Sequence, residues 1–385
     1  MSLPPFEDLF KQIKTNFWLF GIPYDQPKIH VRFFILIIGL LLMATEEILF
    51  LASKISTEDL LVITQLAPCC CIGVLSFLKA VCLVPKRNKI FSLTQSLKVL
   101  YIDSIKEMEK REIIRDNINF VSLLSKYFFL LNAVLISVYN FSTPLFILYD
   151  YIKTNEIVFR LPYDVIVPFR VDRWSTWSVV YIHSISSGFI CVLFFTTIDI
   201  LYCILTSHIC NNFALISNDL LKINCENVNN LKNIIKQHQH IIQLSQQLED
   251  IFSLPNLFNV LVGSVEICAL GFNLTMGSLT QVPGCVLFLS SVLLQILMMS
   301  VFGENLIRES KNVGDAIYFS EWHKLDVKTR KMILIIITRA RRPQILTAYK
   351  FSTISYQSFS KIISSSWSYF TILKTVYKPP ENTST

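Results

Sequence analysis

Apolar residues gather into seven runs near 20 residues long, at about 31–51, 61–84, 127–149, 175–203, 255–279, 281–303 and 352–373. A helix of that length crosses the roughly 30 Å hydrocarbon layer of a bilayer. Backbone polar groups in lipid must pair within their own segment, so the pattern predicts an all-α polytopic membrane protein with seven transmembrane helices. Residues 89–118 and 228–252 also carry apolar side chains at helical spacing, among them Leu231, Ile234, Ile235, Ile241, Ile242 and Leu248, with few Gly or Pro to interrupt them. The second to sixth spans are therefore expected to continue as helices beyond the membrane. The ILIII run at 333–337 is too short and too closely flanked by charge to cross. Residues 326–347 read as a helix outside the membrane, buried against those extensions, with Pro343 and a turn near Tyr349 leading into the last span.

The seventh run differs in kind. Between Ser352 and Leu373 lie eight serines, two threonines, Gln357 and Lys361. At about 100° per residue, Gln357, Lys361, Ser364, Ser368, Thr371 and Thr375 form one stripe, and Phe359, Ile362, Ile363, Phe370 and Leu373 form the opposite one. A spanning helix with a hydroxyl and amide stripe wants water or protein polar groups beside it. Two readings stay open on composition: a pore-lining helix, or a small-residue face for close helix packing.

Composition agrees with a membrane protein: 52% of residues are hydrophobic and 16% charged. The alternating loops then set orientation. With the N-terminus cytosolic, the inner segments hold 26 of the 35 Lys and Arg residues, Lys86, Arg87 and Lys89 directly after the second span among them. The N-terminus is thus expected inside and the C-terminus outside, with Asn382-Thr383-Ser384 an acceptor triplet in the outer tail. No charged segment, short apolar core and cleavage site precede the first run, so no signal peptide is expected to be removed.

Of ten cysteines, eight fall in apolar runs and Cys210 and Cys225 in an inner segment, while the outer loop from Asp150 to Trp174 has none. No extracellular disulfide framework is expected, and the Cys69-Cys70-Cys71 triplet, without a second pair at zinc spacing, reads as apolar packing. No phosphate loop, HExxH or GxSxG occurs, and the six histidines are scattered, so neither an enzyme nor a cofactor is expected. His183 and Asp199 in the fourth span and Glu266 in the fifth are costly to bury, and each reads either as functional or as satisfied by a neighbouring helix. A G-protein-coupled receptor would put the N-terminus outside. A secondary transporter would show two matching broken spans, and no such repeat is present.

The segment FGENLIRES, then VGDAIYFSEWHKLDVKTRKMILIIITRARRPQILTAYKFSTISYQSF and SSSWSYFTIL, resembles the C-terminal signature of insect odorant receptors. Asp315, Ala316, Trp322, Arg342-Pro343, Ala348, Lys350-Phe351, Ser355, Phe359 and Ser368-Tyr369-Phe370-Thr371 carry it. LKNIIKQHQHIIQLSQQLEDIFSLPNLFNVL resembles the family's fifth-span entry and LPYDVIVPFRVD its long outer loop. Gustatory relatives end differently, since Thr375-Val376 follows here where they carry an apolar run and Gln-Phe.

The resemblance implies a non-selective cation channel subunit in the plasma membrane of sensory-neuron dendrites, gated by a small volatile odorant. It implies a heterotetramer with the co-receptor Orco around a central pore lined by the last span, a gustatory-type homotetramer being the alternative. Residues 1–303 would form the ligand-binding transmembrane region, 304–350 a cytosolic anchor, and 351–385 the pore span and outer tail. Gln357, Lys361, Ser364, Ser365 and Ser368 would line the pore, with a hydrophobic gate at Ile372 and Val376. Lys361 is awkward on a cation path, and is tolerable if one or two of four subunits contribute it or if it snorkels to a wide inner vestibule. The implied odorant pocket lies between the second to sixth spans in the outer half of the membrane. Facing residues there are Leu135, Tyr139, Ser142 and Phe146 on the third span, Trp177, Tyr181 and Ser184 on the fourth, Phe272 and Met276 on the fifth, and Phe288 on the sixth.

Overall fold

The computed structural model describes residues 3–23, 28–55, 60–226, 228–277 and 281–377, so the Asn382-Thr383-Ser384 triplet lies outside the described residues. Helix α1 (Phe6–Leu19) opens the chain and buries Phe6, Phe10, Ile13 and Phe17, a helical stripe that closes onto the inner bundle. Then follow α2 (Val31–Ile55) and α3 (Leu60–Leu83), which runs through a 3₁₀ turn at Val84–Lys86 into α4 (Arg87–Ser104). After them come α5 (Met108–Thr154), α6 (Trp174–Leu221), α7 (Leu231–Met276) and α8 (Val282–Phe319).

Six stretches of helix, led by α2, α3, α5, α6, α7 and α8, are long and apolar enough to cross a membrane. At 1.5 Å per residue, the 46 to 48 residues of α5, α6 and α7 reach about 70 Å, more than twice the hydrocarbon thickness. They therefore extend well beyond it. The outer faces of α2 and α5 present Phe34, Ile35, Ile38, Leu130, Phe141 and Leu145, an apolar surface suited to lipid. At the centre stands α6, buried without interruption from Phe194 to Asn211 against its neighbours. The largest core cluster lies toward the inner end, where α1, α4, α6, α7 and α8 meet.

Residues 89–118 divide between the helical extensions of two spans: α4 stops at Ser104 and α5 begins at Met108. The Arg111 side chain donates to the Ile105 carbonyl at 2.6 and 3.2 Å, satisfying a group the end of α4 leaves open. One helical expectation needs correction: 326–347 is not a single helix. Helix α9 (Val327–Ala340), capped by the Asp326 carboxylate, ends before Pro343. The chain then forms a hairpin of β1 (Thr347–Ala348) and β2 (Ser352–Thr353).

Its turn holds Tyr349 at φ 48° and Lys350 at φ 63°, a left-handed backbone that side chains resist. Contacts to α7 hold it: the Tyr349 N–H donates to the Ser253 carbonyl at 3.0 Å, and the Thr347 N–H to Glu249 Oε2 at 2.9 Å. Helix α10 (Tyr356–Val376) follows, its first turn closed by Ser355 and Ser358.

Candidate functional site

A narrow cavity of about 50 Å³ opens in the outer half of the bundle between α2, α3, α5, α6 and α8. One water needs roughly 10–15 Å³ of such space, so the cavity holds a handful of non-hydrogen atoms as it stands. Its lining is mostly apolar: Leu40, Met43 and Ala44 on α2, Cys69 and Ile72 on α3, Leu135, Ile136 and Tyr139 on α5, Val192 on α6 and Phe288 on α8. Tyr139 meets Phe288 edge-on, with ring centroids 6.2 Å apart at 85°.

The outer loop after α5 covers the cavity. Its Tyr163 descends between α5 and α6 and donates to Asn140 Oδ1 at 3.1 Å. Gly188 makes room, because a Cβ there would lie 2.5 Å from the Tyr163 hydroxyl. Higher in the cover, Trp177 stacks on Tyr181 with centroids 4.5 Å apart, donates from Nε1 to the Arg160 carbonyl at 2.7 Å, and meets Trp174 edge-on. The Tyr181 hydroxyl donates to the Asn140 carbonyl at 2.9 Å, so Asn140 joins loop, α5 and α6.

Of the ten residues expected to wall a pocket, Leu135, Tyr139 and Phe288 line this cavity. Trp177 and Tyr181 belong to its cover, and Ser184 is fully buried nearby with no hydrogen-bond partner on Oγ. Ser142 bonds back to the Tyr139 carbonyl of its own helix. Phe146 lies on the open surface, 48% exposed. Phe272 and Met276 join a separate cluster with Phe370 and Tyr377, against α10. The sequence pattern did not reach the α2 wall, Tyr163 or Gly188. An acidic pair inside the first apolar run, Glu46-Glu47, was the available signal.

Deeper in the bundle, Lys79 and Asp199 form a fully enclosed ion pair, with Nζ 2.8 and 2.9 Å from the two carboxylate oxygens. Gln295 donates to Asp199 at 2.8 Å and Asn259 at 3.3 Å, so α3, α6, α7 and α8 share one polar knot. His183 approaches Glu46 at 3.6 Å. Glu266 is buried with no hydrogen-bond partner on Oε1. Among the described residues no three His, Cys, Asp or Glu side chains gather as metal ligands, and every cysteine is a free thiol.

Helix α10 has two unlike faces. Ile362, Ser366 and Phe370 are buried where it packs on α7 and α8, and Ser366 Oγ donates to the Ser264 carbonyl of α7 at 3.2 Å. Gln357, Lys361, Ser364, Ser365, Ser368, Ile372 and Val376 are all exposed on the single chain. The helix is 21 residues long, enough to cross a membrane at about 31 Å, yet it is not among the stretches apolar enough to do so in lipid.

The family model described as 7tm Odorant receptor matches residues 60–367. Odorant receptor 85b of Drosophila melanogaster is 27% identical over 301 residues, 76% of this chain and 77% of that one. Odorant receptor 13a of the same species is 30% identical over 243 residues, 56% of this chain and 57% of its own. The solved olfactory receptor OR5 from Machilis hrabei, in complex with eugenol, superposes with a TM-score of 0.79 at 18% identity, covering 97% of this chain and 100% of that one. At that identity the likeness speaks for the fold.

Proposed function

Because the chain belongs to the 7tm odorant receptor family, a family of receptors that bind small odorants rather than of enzymes, we propose that it is an odorant-gated, non-selective cation channel subunit. The observation that carries this reading is α10. It is long enough to span, packed on one side, and polar and unpartnered on the other. Such a face wants water or protein, and a pore at the axis of an assembly supplies both. Ile372 and Val376 stand at the outer end of that face, where a hydrophobic ring closes a pore by refusing water.

The ligand binds in the cavity beneath the Tyr163 cover. A ligand shifts an equilibrium only by binding one state better than another. Phe288 offers a route for that preference: it lines the cavity on α8, and α8 also packs on α10. Farther along α8, a Cβ at Gly303 would lie 2.3 Å from the Ile354 carbonyl, so this helix seats the backbone that leads into α10. Residues 1–303 supply the ligand region, 304–350 the anchor that holds the lead-in, and 351–385 the pore helix.

The assembly is a heterotetramer with the co-receptor Orco, in the dendritic membrane of olfactory neurons. Four copies of Lys361 around one axis would repel cations, and sharing the ring with a partner subunit reduces that charge. Patch recording of odorant-evoked current, with G-protein signalling blocked and with or without the co-receptor, tests the proposal. Current that persists under the block and needs both subunits supports it. Current lost with the block overturns the channel reading, and full current from this chain alone replaces the heterotetramer with a homotetramer.

A further inference from the structure

Glu47 is the one formally charged side chain on the cavity wall among the described residues. It is 6% exposed, and none of the described groups hydrogen-bonds to its carboxyl. A buried carboxyl without a partner is held at high cost, and the cavity it lines is open to a partner. Space in front of it is kept open by Gly73, where a Cβ would lie 3.6 Å from Glu47 Oε2.

The surrounding charge also points one way. Glu46 is next in sequence, and among the described residues its one ion-pair approach is to His183, at 3.6 Å. Asp199 is already matched by Lys79, and Glu266 has no partner on Oε1. The embedded carboxyls therefore outnumber the cations beside them. Aromatic rings of Tyr139, Tyr163 and Phe288 line the same space, and ring faces favour a cation over a neutral group.

We propose that the cavity selects small aliphatic amines, with Glu47 as the partner of the basic nitrogen. The inference rests on reading the cavity as the ligand site. A ketone or ester offers only acceptors and leaves the carboxylate oxygens unsatisfied. An alcohol brings one donor, whereas an ammonium brings three and makes charge-assisted bonds, about twice as strong as neutral ones. An amine that enters as the ammonium ion pairs with the Glu47 carboxylate by charge-assisted hydrogen bonds, and no covalent bond is made or broken. The cavity's size sets the ligand at roughly four carbons and the nitrogen.

The test is binding of n-butylamine, 1-butanol and pentane to the purified full-length receptor, three probes of nearly equal size, measured by calorimetry near neutral pH. The expected result is about a ten-fold or greater preference for the amine over the alcohol. In Glu47→Gln that ratio falls toward one, and in Glu47→Asp, which withdraws the carboxyl by a methylene, it falls part of the way. Alcohol and alkane binding without an amine preference overturns the amine assignment and leaves the cavity reading standing. A preference that survives in Glu47→Gln overturns the assignment in the same way. Binding of none of the three removes the cavity as the ligand site and the inference with it. If Glu47→Gln does not fold, the ranking on the natural receptor and on Glu47→Asp decides.

Discussion

Lys79 and Asp199 show how much a single buried pair carries in this molecule. Their charges are fully enclosed, and Gln295 and Asn259 complete the oxygen lone pairs of Asp199. Removing one partner strands the other, which costs about 3–5 kcal/mol. Lys79→Met is therefore expected to abolish surface expression or lower the unfolding temperature sharply, and adding Asp199→Leu to recover part of the loss. His208 works differently. It is packed among Phe6, Phe10 and Tyr101, and burial pushes its pKa down to about 3. The unfolded chain takes up a proton near pH 6.5 that the folded chain refuses until about pH 3. Stability is thus complete above pH 6.5 and lost as pH falls, by about 2 kcal/mol at pH 5. Melting curves of the solubilised receptor should shift downward from pH 7.5 to pH 5, and His208→Phe should flatten that shift. Leu135, Tyr139 and Phe288 could be read from the sequence because helical phase places them on facing sides of long spans. Glu47 and Tyr163 could not, since their meeting in one cavity depends on the packing of α2 and on a loop that carries no periodicity.

The elements divide along similar lines. The long helices were legible because a run of about 20 apolar residues in lipid satisfies its backbone polar groups within its own segment only as a helix. Their breaks were not: the end of α4 depends on an arginine six residues on, and the hairpin before α10 depends on Glu249 and Ser253 of a distant helix. Burial holds the Glu249 carboxyl above its ordinary range, and the Thr347 hydroxyl and N–H pull it back. That hairpin is the joint through which α8 holds α10, and Gly303 is its tightest point. Gly303→Ala forces the Ile354 backbone away, a strain of about 1–3 kcal/mol. Ligand-evoked current should fall far more than ligand binding, as comparison of the two on the same preparation would show. Equal losses would mean that the substitution harms the whole fold.

At the scale of the whole molecule, the proposed assembly accounts for two features of the single chain. Its largest core lies at the inner end, where helices extended past the membrane meet α1, while the polar face of α10 stands open. This arrangement suits a base that holds subunits together and a pore helix that meets its counterparts. It also requires the N-terminus to be inside, as the distribution of basic residues predicts. A tag before α1 should therefore be detected only after permeabilisation, and detection on intact cells would reverse the topology and remove the pore.

The channel reading stands or falls on whether the exposed face of α10 touches the ion path. Single cysteines at Gln357, Ser364, Ser368, Ile372 and Val376, with matched ones at Ile362, Ser366 and Phe370, test it through block of odorant-evoked current by a charged, membrane-impermeant thiol reagent. Block at the first set and none at the second, repeating at helical spacing, is the predicted result. Unaltered current at every position of the exposed face, with normal surface expression, would contradict it.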